Sequence, residues 1–429
     1  MTLIKFGTIS KKLIYLIMMS ITNMFIVVST ILLNKEHKGK NGNTIKYGNH
    51  PFTNDLIMFM AEGCVIIIFF IQQKITKDTD SSSFEELTKS QIVYKKEEQN
   101  RKAIKFLPDS KKVKTFFIIL GTFALDLFAS TTIFIIRQID NVSSIELGFK
   151  IIGLIVSTFL SICILNYKYY RHHFIGCVIL CIGLIIYSVV DFIQNLPQIK
   201  QNQADTTIEK AHTTIEMILI MIFILCIYVF ASLQEVMHKY LMDIMFVSPF
   251  AIISLEGFFG IIVMSVSLIF LYYTECTSEI VCTSGNQVEN IFDTFNNVIS
   301  HYQLLIPIII LFFSFIVLNT FRLLTNQAYS PTHRIIPDVY GCCFSWVVRV
   351  IFPNLDEIST FMKFHNFVIG FSFFLMMVGA LIYLEIIELH FWGLSRNIRR
   401  TITSRQDIDL KINLNLKSDA YPLLDQSID

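Results

Sequence analysis

Charge is scarce in this sequence: only 16% of the 429 residues are charged, whereas 53% are hydrophobic and 39 are Phe. That much apolar surface exceeds what one soluble core can bury. The polar stretches between the apolar runs are too short to fold separately in water, so the sequence predicts a single membrane domain. The expected environment of this domain is the lipid bilayer.

An excess of basic charge is also missing, since the formal net charge is +1. Binding to a phosphate backbone needs a clustered excess of Lys and Arg, which argues against nucleic acid as a partner. The sequence has no phosphate-cradling Gly-Lys-Ser/Thr loop, no paired-His zinc helix and no nucleophile elbow, so it predicts neither an enzyme nor a cofactor. His172 and His173 have no Cys or carboxylate at ligand spacing, and the sequence predicts no metal site.

Apolar runs of about twenty residues, the length that a helix needs to cross a bilayer, recur along the chain. The approximate candidate spans are residues 13–33, 52–71, 115–136, 143–165, 174–190, 215–237, 247–272, 304–324, 335–352 and 364–387. They form two sets of five, and an odd number of spans reverses the orientation of the second set. The predicted fold class is therefore all-α: a polytopic membrane protein of about ten transmembrane helices in two inverted five-helix repeats.

The predicted organisation follows from these spans and from the charge of the segments between them. It comprises a cytosolic N-terminus (1–12), a first five-helix repeat (13–190), a linker (191–214), a second repeat (215–388) and a cytosolic tail (389–429). Within the first repeat, residues 73–114 mix acidic and basic residues, which is typical of a solvated linker. Lys and Arg concentrate on the side of the N-terminus and are absent from residues 273–303. This asymmetry places both termini in the cytosol.

Ionisable residues lie inside the predicted spans, where each would cost about 2.5–3.5 kcal/mol facing lipid. They must therefore face the bundle interior, a watery cavity or the interfaces. The candidates for a substrate or ion pathway are Glu62, Asp126, Glu146, Lys150, Glu235, Glu256, Arg334 and Asp338. The sequence does not decide whether the substrate is cationic, proton-coupled or anionic.

Two pairs of opposite charge have the spacing of one helical turn: Glu146 with Lys150 in the fourth span, and Arg334 with Asp338 in the ninth. These two spans are equivalent in a five-plus-five repeat, so each half would present a pair to a central cavity. The alternative is that the pairs only tie packed helices together. Both interpretations remain open at this point.

Small and sulfur-containing residues predict local contacts. Cys276 and Cys282 share one polar loop at a spacing that a disulfide can bridge, and the bridged and unbridged states are both open. A second set of small residues in the fifth and tenth spans would allow close helix contact or a homodimer: Gly176, Gly183, Gly370 and Gly379.

The C-terminal tail contains the sequence Asp-Ala-Tyr-Pro-Leu-Leu at residues 419–424. It combines a Tyr-x-x-apolar tetrapeptide with an acidic dileucine, both of which resemble sorting signals for endosomes and lysosomes. A sorting adaptor reaching a cytosolic tail would contact Asp419, Tyr421, Leu423 and Leu424. The predicted location is an endosomal, lysosomal or other organelle membrane.

Several motifs together carry a resemblance to a known family. They are HPFTNDLIMFMAE (50–62), Asp126, Ser143 with Ser144, Glu235, PFAIISLEGFFG (249–260), and the ninth-span set Ser330, Thr332, Arg334, Asp338 and Trp346. On these residues the chain resembles the drug/metabolite transporter superfamily, which has an EamA-type fold. Within it the chain resembles the F-type branch of solute carrier family 35, which is related to nucleotide-sugar transporters. Three positions depart from the family pattern: Glu146 replaces an amide, Lys150 is slipped by one residue, and Gly341 replaces a basic residue.

The resemblance implies ten helices in two inverted repeats, cytosolic termini, and a cavity lined by spans one to four and six to nine. It also implies a transporter whose substrate is poorly defined even among relatives. The expected function is therefore secondary-active transport of a small polar metabolite by alternating access. The alternative is a non-transporting membrane scaffold or receptor of the same fold.

Overall fold

A computed structural model describes residues 4–6, 11–34, 37–38, 44–45, 50–83, 112–136, 143–167, 169–201, 207–275, 287–300, 302–337 and 363–389. These residues form an all-α membrane protein. The helices are α1 (Lys11–Asn34), α2 (Pro51–Ser83), α3 (Lys112–Ile136), α4 (Ser143–Leu165), α5 (Arg171–Gln201), α6 (Thr207–Asp243), α7 (Pro249–Tyr273), α8 (Ile291–Ser300), α9 (Tyr302–Ala328) and α10 (Lys363–Tyr383). A further helical segment covers residues 331–337.

Two pairs of very short strands accompany the helices. Strand β1 (Ile4–Phe6) pairs antiparallel with β4 (Ile387–Leu389), and β2 (His37–Lys38) pairs antiparallel with β3 (Thr44–Ile45). The first pairing brings the residues before α1 against those after α10. The segment before the first helix and the segment after the last one therefore lie on the same face of the protein.

Within the described ranges, six helices contain a stretch that is long and apolar enough to cross a bilayer. The stretches are Phe52–Ile71, Val113–Ile135, Arg171–Val190, Met221–Asp243, Pro249–Tyr273 and Gln303–Ala328. Shorter apolar stretches occur in three other helices, at Ile17–Thr30, Lys150–Leu165 and Phe367–Tyr383. The protein is therefore a multi-pass membrane protein.

The distribution of side chains is the reverse of that in a water-soluble bundle. Large apolar side chains point outward, as at Phe159 and Phe174, which are 62% and 70% exposed. Carboxylates such as Glu62 and Glu235 are buried inside, at 5% and 3% exposure. Because lipid tails solvate apolar groups and penalise charge, this arrangement places the outer surface against lipid and the polar groups in the bundle interior.

Several helices are longer than the apolar runs that predict them. Helix α2 continues to Ser83, so part of the predicted linker 73–114 is helical. Helix α5 ends at Gln201 and α6 begins at Thr207, so most of the predicted linker 191–214 is helical as well. Apolar content marks the membrane-crossing part of a helix, whereas the backbone hydrogen bonds of a helix can continue into polar residues beyond it. Of the predicted ninth span, 335–352, only the first residues belong to the part of the chain that the structure describes.

Two helix pairs pack most extensively, α5 with α10 and α2 with α7. Glycines make both contacts close. A Cβ on Gly176 would lie 2.8 Å from the carbonyl oxygen of Gly379, and a Cβ on Gly379 would lie 2.8 Å from that of Gly176. Likewise, a Cβ on Gly257 would lie 2.2 Å from the backbone nitrogen of Gly63. The glycines thus allow helix contact within the chain, and the homodimer stays a prediction.

The remaining helices pack around these two pairs. Helix α1 lies against α9, while α6 packs against both α3 and α4. Helix α2 also contacts α3 and α9, and α7 also contacts α3 and α9. Residues on the inner faces of α1, α2, α3, α4, α6 and α9 surround the cavity described next.

Candidate functional site

A cavity of about 230 Å³ lies between the helices of the bundle. Its walls come from α1, α2, α3, α4, α6, α9 and the segment 331–337. The polar residues that line it are Asn23, Asp126, Ser130, Lys150, Tyr228, Ser232, Gln234, Arg322 and Arg334. Apolar side chains, among them Met58, Ile133, Phe134 and Phe315, complete the walls. The cavity thus combines an apolar enclosure with a few polar groups, as ligand sites do.

Four of the lining residues are ionisable: Asp126, Lys150, Arg322 and Arg334. Each comes from a different part of the chain, respectively α3, α4, α9 and the segment 331–337. An ionisable residue inside a membrane domain is costly unless it meets water or a partner. Four elements that each direct one such residue to a single cavity therefore mark this cavity as the candidate functional site.

Arg334 forms a buried ion pair with Glu235 of α6. Its Nε atom lies 3.0 Å from the Oε1 atom of Glu235, and the two side chains are 10% and 3% exposed. Asn326 of α9 supports the carboxylate, because its Nδ2 atom donates to Oε2 at 3.1 Å and to the Glu235 carbonyl oxygen at 2.8 Å. The pair therefore joins α6, α9 and the segment 331–337 at the cavity wall.

A second buried network connects α2 with α9. The Nδ2 atom of Asn319 donates to the Oε1 atom of Glu62 at 2.6 Å. The Nη1 atom of Arg322 donates to the Oδ1 atom of Asn319 at 3.3 Å. The amide of Asn319 thus lies between a buried carboxylate and the guanidinium that lines the cavity.

A third network lies where α3, α6 and α7 meet. The Nε2 atom of His238 is 2.8 Å from the Oε1 atom of Glu256, and both side chains are buried. Gln234, one helical turn before His238, lines the cavity together with Asp126. Helix α6 therefore supplies both the partner of the α7 acid and a polar group of the cavity wall.

Polar contacts also occur beside the start of α2. Glu289, fully buried, accepts a hydrogen bond from the Oγ1 atom of Thr53 at 2.6 Å and lies 3.2 Å from the Nδ1 atom of His50. Asp55, also fully buried, accepts a hydrogen bond from Thr131 of α3. These contacts tie the segment before α8 and helix α3 to the start of α2.

The predicted pathway residues are placed as follows. Asp126, Lys150 and Arg334 line the cavity, and Glu62, Glu235 and Glu256 belong to the buried networks around it. The backbone of Glu146 belongs to α4, but its side chain lies outside the part that is described. Asp338 also lies outside the described residues, as do Cys276, Cys282, Asp419, Tyr421, Leu423 and Leu424.

Sequence reasoning missed several residues of the site. Arg322 lies inside the predicted span 304–324 but is not among the predicted pathway residues, whereas the structure places it in α9 at the cavity wall. Sequence reasoning did not single out Asn319 or Asn326. Residues 319, 322 and 326 have the spacing of one helix face, so a polar stripe in this otherwise apolar run was the available signal.

The structure adds a partner of Arg334 that spacing along the chain does not suggest. The described contact is with Glu235 from α6, while the predicted partner Asp338, four residues away, lies outside the described residues. This contact crosses between chain segments instead of lying within one helix. Sequence spacing detects only partners on the same helix, so it gives no signal for it.

Comparisons with known proteins give little further information. No family model and no curated protein matches this chain. Among solved structures, the chain is similar to one described only as "Crystal structure of protein", with 10% identity and a TM-score of 0.45, over 87% of this chain and 96% of that one. A likeness of this size supports no conclusion about family or function.

Proposed function

We propose that this protein is a secondary-active transporter that moves a small polar metabolite across a membrane by alternating access. The observation that carries the proposal is the charged cavity of about 230 Å³ enclosed by helices from both halves of the chain. A structural scaffold gains nothing from directing Asp126, Lys150, Arg322 and Arg334 to one cavity, because packed apolar residues would stabilise it at lower cost. A transported polar solute needs such groups near the centre of the bundle.

The helix packing supports the proposed layout of ten helices in two inverted repeats. In this layout α1, α2, α3, α4 and α5 correspond to α6, α7, α9, the ninth span and α10. Under this correspondence, the contact of α1 with α9 is equivalent to the contact of α6 with α3. In the same way, α2–α9 is equivalent to α7–α3, and α2–α3 is equivalent to α7–α9. All six of these helix pairs are in contact. Matched contacts of this kind are expected from two copies of one fold related by a pseudo-two-fold axis.

The two most extensive contacts fit the same symmetry. Helices α2 and α7 are equivalent, as are α5 and α10, and equivalent elements meet each other only at the symmetry axis. Gly63 lies against Gly257 at the first contact, and Gly176 against Gly379 at the second. We propose that the halves rock about these close contacts while the cavity between them opens to each side in turn.

The orientation and location remain proposals. The pairing of β1 with β4 supports an even number of crossings, because it requires both ends of the bundle to lie on one face. The excess of Lys and Arg on that side supports cytosolic termini. Placement in an endosomal, lysosomal or other organelle membrane, with an adaptor at the tail, is a prediction from residues 419–424 alone.

The cavity residues also bear on the substrate. Three of the four ionisable lining residues are basic, which suits a solute with an anionic group, and Asp126 supplies one acid. Ligand pockets usually measure about 300–1,000 Å³, so the cavity in this conformation suits a small solute. We therefore propose that the transported metabolite is small and polar, as expected for a carrier similar to nucleotide-sugar transporters in architecture.

Reconstitution into liposomes tests the function. Purified protein is incorporated into vesicles preloaded with one solute, and uptake of the labelled solute is measured for nucleotide sugars, amino acids and organic anions. The proposal expects saturable counterflow for at least one class. Absence of counterflow for every class, with the protein correctly inserted, would favour the scaffold or receptor alternative.

Lys150 gives the most specific site prediction for this assay. Replacing Lys150 with Gln removes a charge from the cavity wall, and counterflow should fall at least about tenfold, the effect of losing roughly 1.4 kcal/mol of interaction with the solute. Lys114→Gln is the matched control, since Lys114 is exposed near the start of α3. Equal flux in the two variants would contradict the assignment of Lys150 to the site.

A further inference from the structure

A cluster of two histidines and a carboxylate lies apart from the cavity, where α5 begins and α10 ends. His172 and His173 belong to the first turn of α5, and Glu385 follows α10. One potential ligand atom from each residue lies within 4.8 Å of the other two. The side chains are 4%, 12% and 9% exposed, so the cluster is largely enclosed by protein.

The donor atoms converge as metal ligands do. The Nε2 atoms of His172 and His173 lie 3.0 Å and 3.6 Å from the same oxygen, Oε1 of Glu385. In a tetrahedral zinc site with bonds of about 2.0–2.1 Å, neighbouring ligand atoms are separated by roughly 3.3–3.4 Å. The observed distances lie on either side of that value, so a zinc-sized ion needs only small side-chain movements to bind all three atoms.

The backbone at Glu385 gives an independent observation. Its φ angle is 59°, in the left-handed region. The amide of Ile386 donates to the carbonyl of Leu381, and that of Glu385 to the carbonyl of Ile382, both at 3.0 Å. This is the helix-ending turn in which the left-handed position is usually Gly, because other residues are strained there. Glu385 adopts this strained backbone conformation, and its carboxylate lies against the two histidines. Strained backbone conformations of this kind cluster at functional sites.

We infer that His172, His173 and Glu385 form a binding site for a divalent transition metal of the zinc class. Two imidazole nitrogens and one carboxylate oxygen suit zinc better than magnesium or calcium, which prefer oxygen ligands. Three protein ligands leave a fourth position for water or another donor. The inference does not rest on the transport proposal, because it concerns a different group of residues.

The position of the site suggests what the metal does. It joins the start of α5 to the end of α10, the last helix of each half. The ring of Tyr383 lies between the site and the segment 331–337, with ring centroids 5.0 Å from His173 and 4.8 Å from His333. Bound metal would therefore fix the packing next to the segment that carries Arg334.

Sequence reasoning predicts no metal here because no carboxylate is near His172 and His173 along the chain. The fold supplies one from a distance of 213 residues in sequence. The three donor residues come together only because α5 packs against α10, and the sequence alone does not show that packing.

Equilibrium dialysis against zinc tests the site. The full-length protein is purified in detergent, its affinity tag is removed, and it is stripped with a chelator before dialysis. We expect one zinc ion per chain, retained in excess magnesium. Glu385→Gln preserves the shape of the side chain but removes the anionic ligand, and should weaken binding by more than the roughly 10–100-fold that loss of a second-shell partner costs, as His172→Gln should.

The matched control is His50→Gln, which alters another buried histidine whose Nδ1 atom is 3.2 Å from a glutamate oxygen. This variant should bind zinc like the unmodified protein. Helix content and gel filtration establish that each variant is folded, and His173→Gln replaces any variant that is not. The inference is overturned if the unmodified protein binds no stoichiometric zinc, or if folded Glu385→Gln and His172→Gln bind it undiminished. Neither result bears on the counterflow assay, which measures a different site.

Discussion

Replacing either Arg334 or Glu235 with Gln is expected to destabilise the protein by about 3–5 kcal/mol, the usual cost of removing one member of a buried ion pair. The remaining charge would stay in the bundle interior without its partner, 3.0 Å away in the intact pair. The same substitutions should abolish counterflow, because Arg334 lines the cavity. Unfolding in detergent, followed by circular dichroism, measures the first effect.

The double variant separates the structural role of the pair from its role in transport. Replacing Arg334 with Met and Glu235 with Gln in one protein removes both charges and should recover most of the lost stability. Counterflow should not recover, since the cavity has still lost its guanidinium. If the double variant transports like the unmodified protein, the Arg334–Glu235 pair only ties helices together and has no role in transport.

An ion pair of α6 with one exposed member provides the control. Lys239 and Asp243 are 3.3 Å apart, but the side chain of Asp243 is 41% exposed. Lys239 also donates to the carbonyl oxygen of Gln327 at 2.7 Å, so it keeps a partner in Asp243→Asn. That substitution should cost less than about 1 kcal/mol. A similarly small loss for Arg334→Gln or Glu235→Gln would contradict the burial of that ion pair inside the bundle.

Gly257→Ala should be the most disruptive of the small substitutions. The added Cβ would lie 2.2 Å from the backbone nitrogen of Gly63, and backbone atoms cannot move aside as a side chain end can. Helices α2 and α7 would have to separate, at a cost of about 1–3 kcal/mol or more for overpacking. The measurement is the midpoint of thermal unfolding in detergent.

Gly121→Ala is the matched control for this prediction. Gly121 lies in α3, and a Cβ there meets no atom within 4 Å among the described residues. Alanine favours a helix over glycine by about 0.8–1.0 kcal/mol, so this variant should be as stable as the unmodified protein or slightly more so. If the two variants unfolded at the same temperature, the close contact of α2 with α7 would be wrong.

The membrane-crossing helices are the part of the fold that the sequence predicts well. Lipid requires long apolar runs, and these are visible without any tertiary information. The run predicted at 52–71 coincides with the apolar stretch Phe52–Ile71 of α2. The same reasoning predicts that Glu62 and Asp126 face inward, because lipid penalises charge, and the structure places both inside the bundle.

The partners of the charged residues are less predictable, for two physical reasons. Spacing along a helix suggests only local pairs, whereas the described partners of Glu62 and Arg334 are Asn319 and Glu235, on other segments. An apolar run also does not show which of its residues face a cavity, so the candidate list omits Arg322, which lies within α9 and lines the cavity. In both cases the missing information is how the helices pack against each other.

Alternating access requires water-accessible space between the two halves, and labelling of an introduced cysteine detects that space. In a background where the nine native cysteines are replaced, Ala231→Cys lies on the cavity wall and Ala251→Cys lies in the core of α7, fully buried. A charged, membrane-impermeant thiol reagent applied to each face of the membrane should modify the cysteine at 231 and spare the one at 251. If the cysteine at 231 reacts with reagent from neither face, no water-accessible space reaches the cavity wall, and the transport proposal is contradicted.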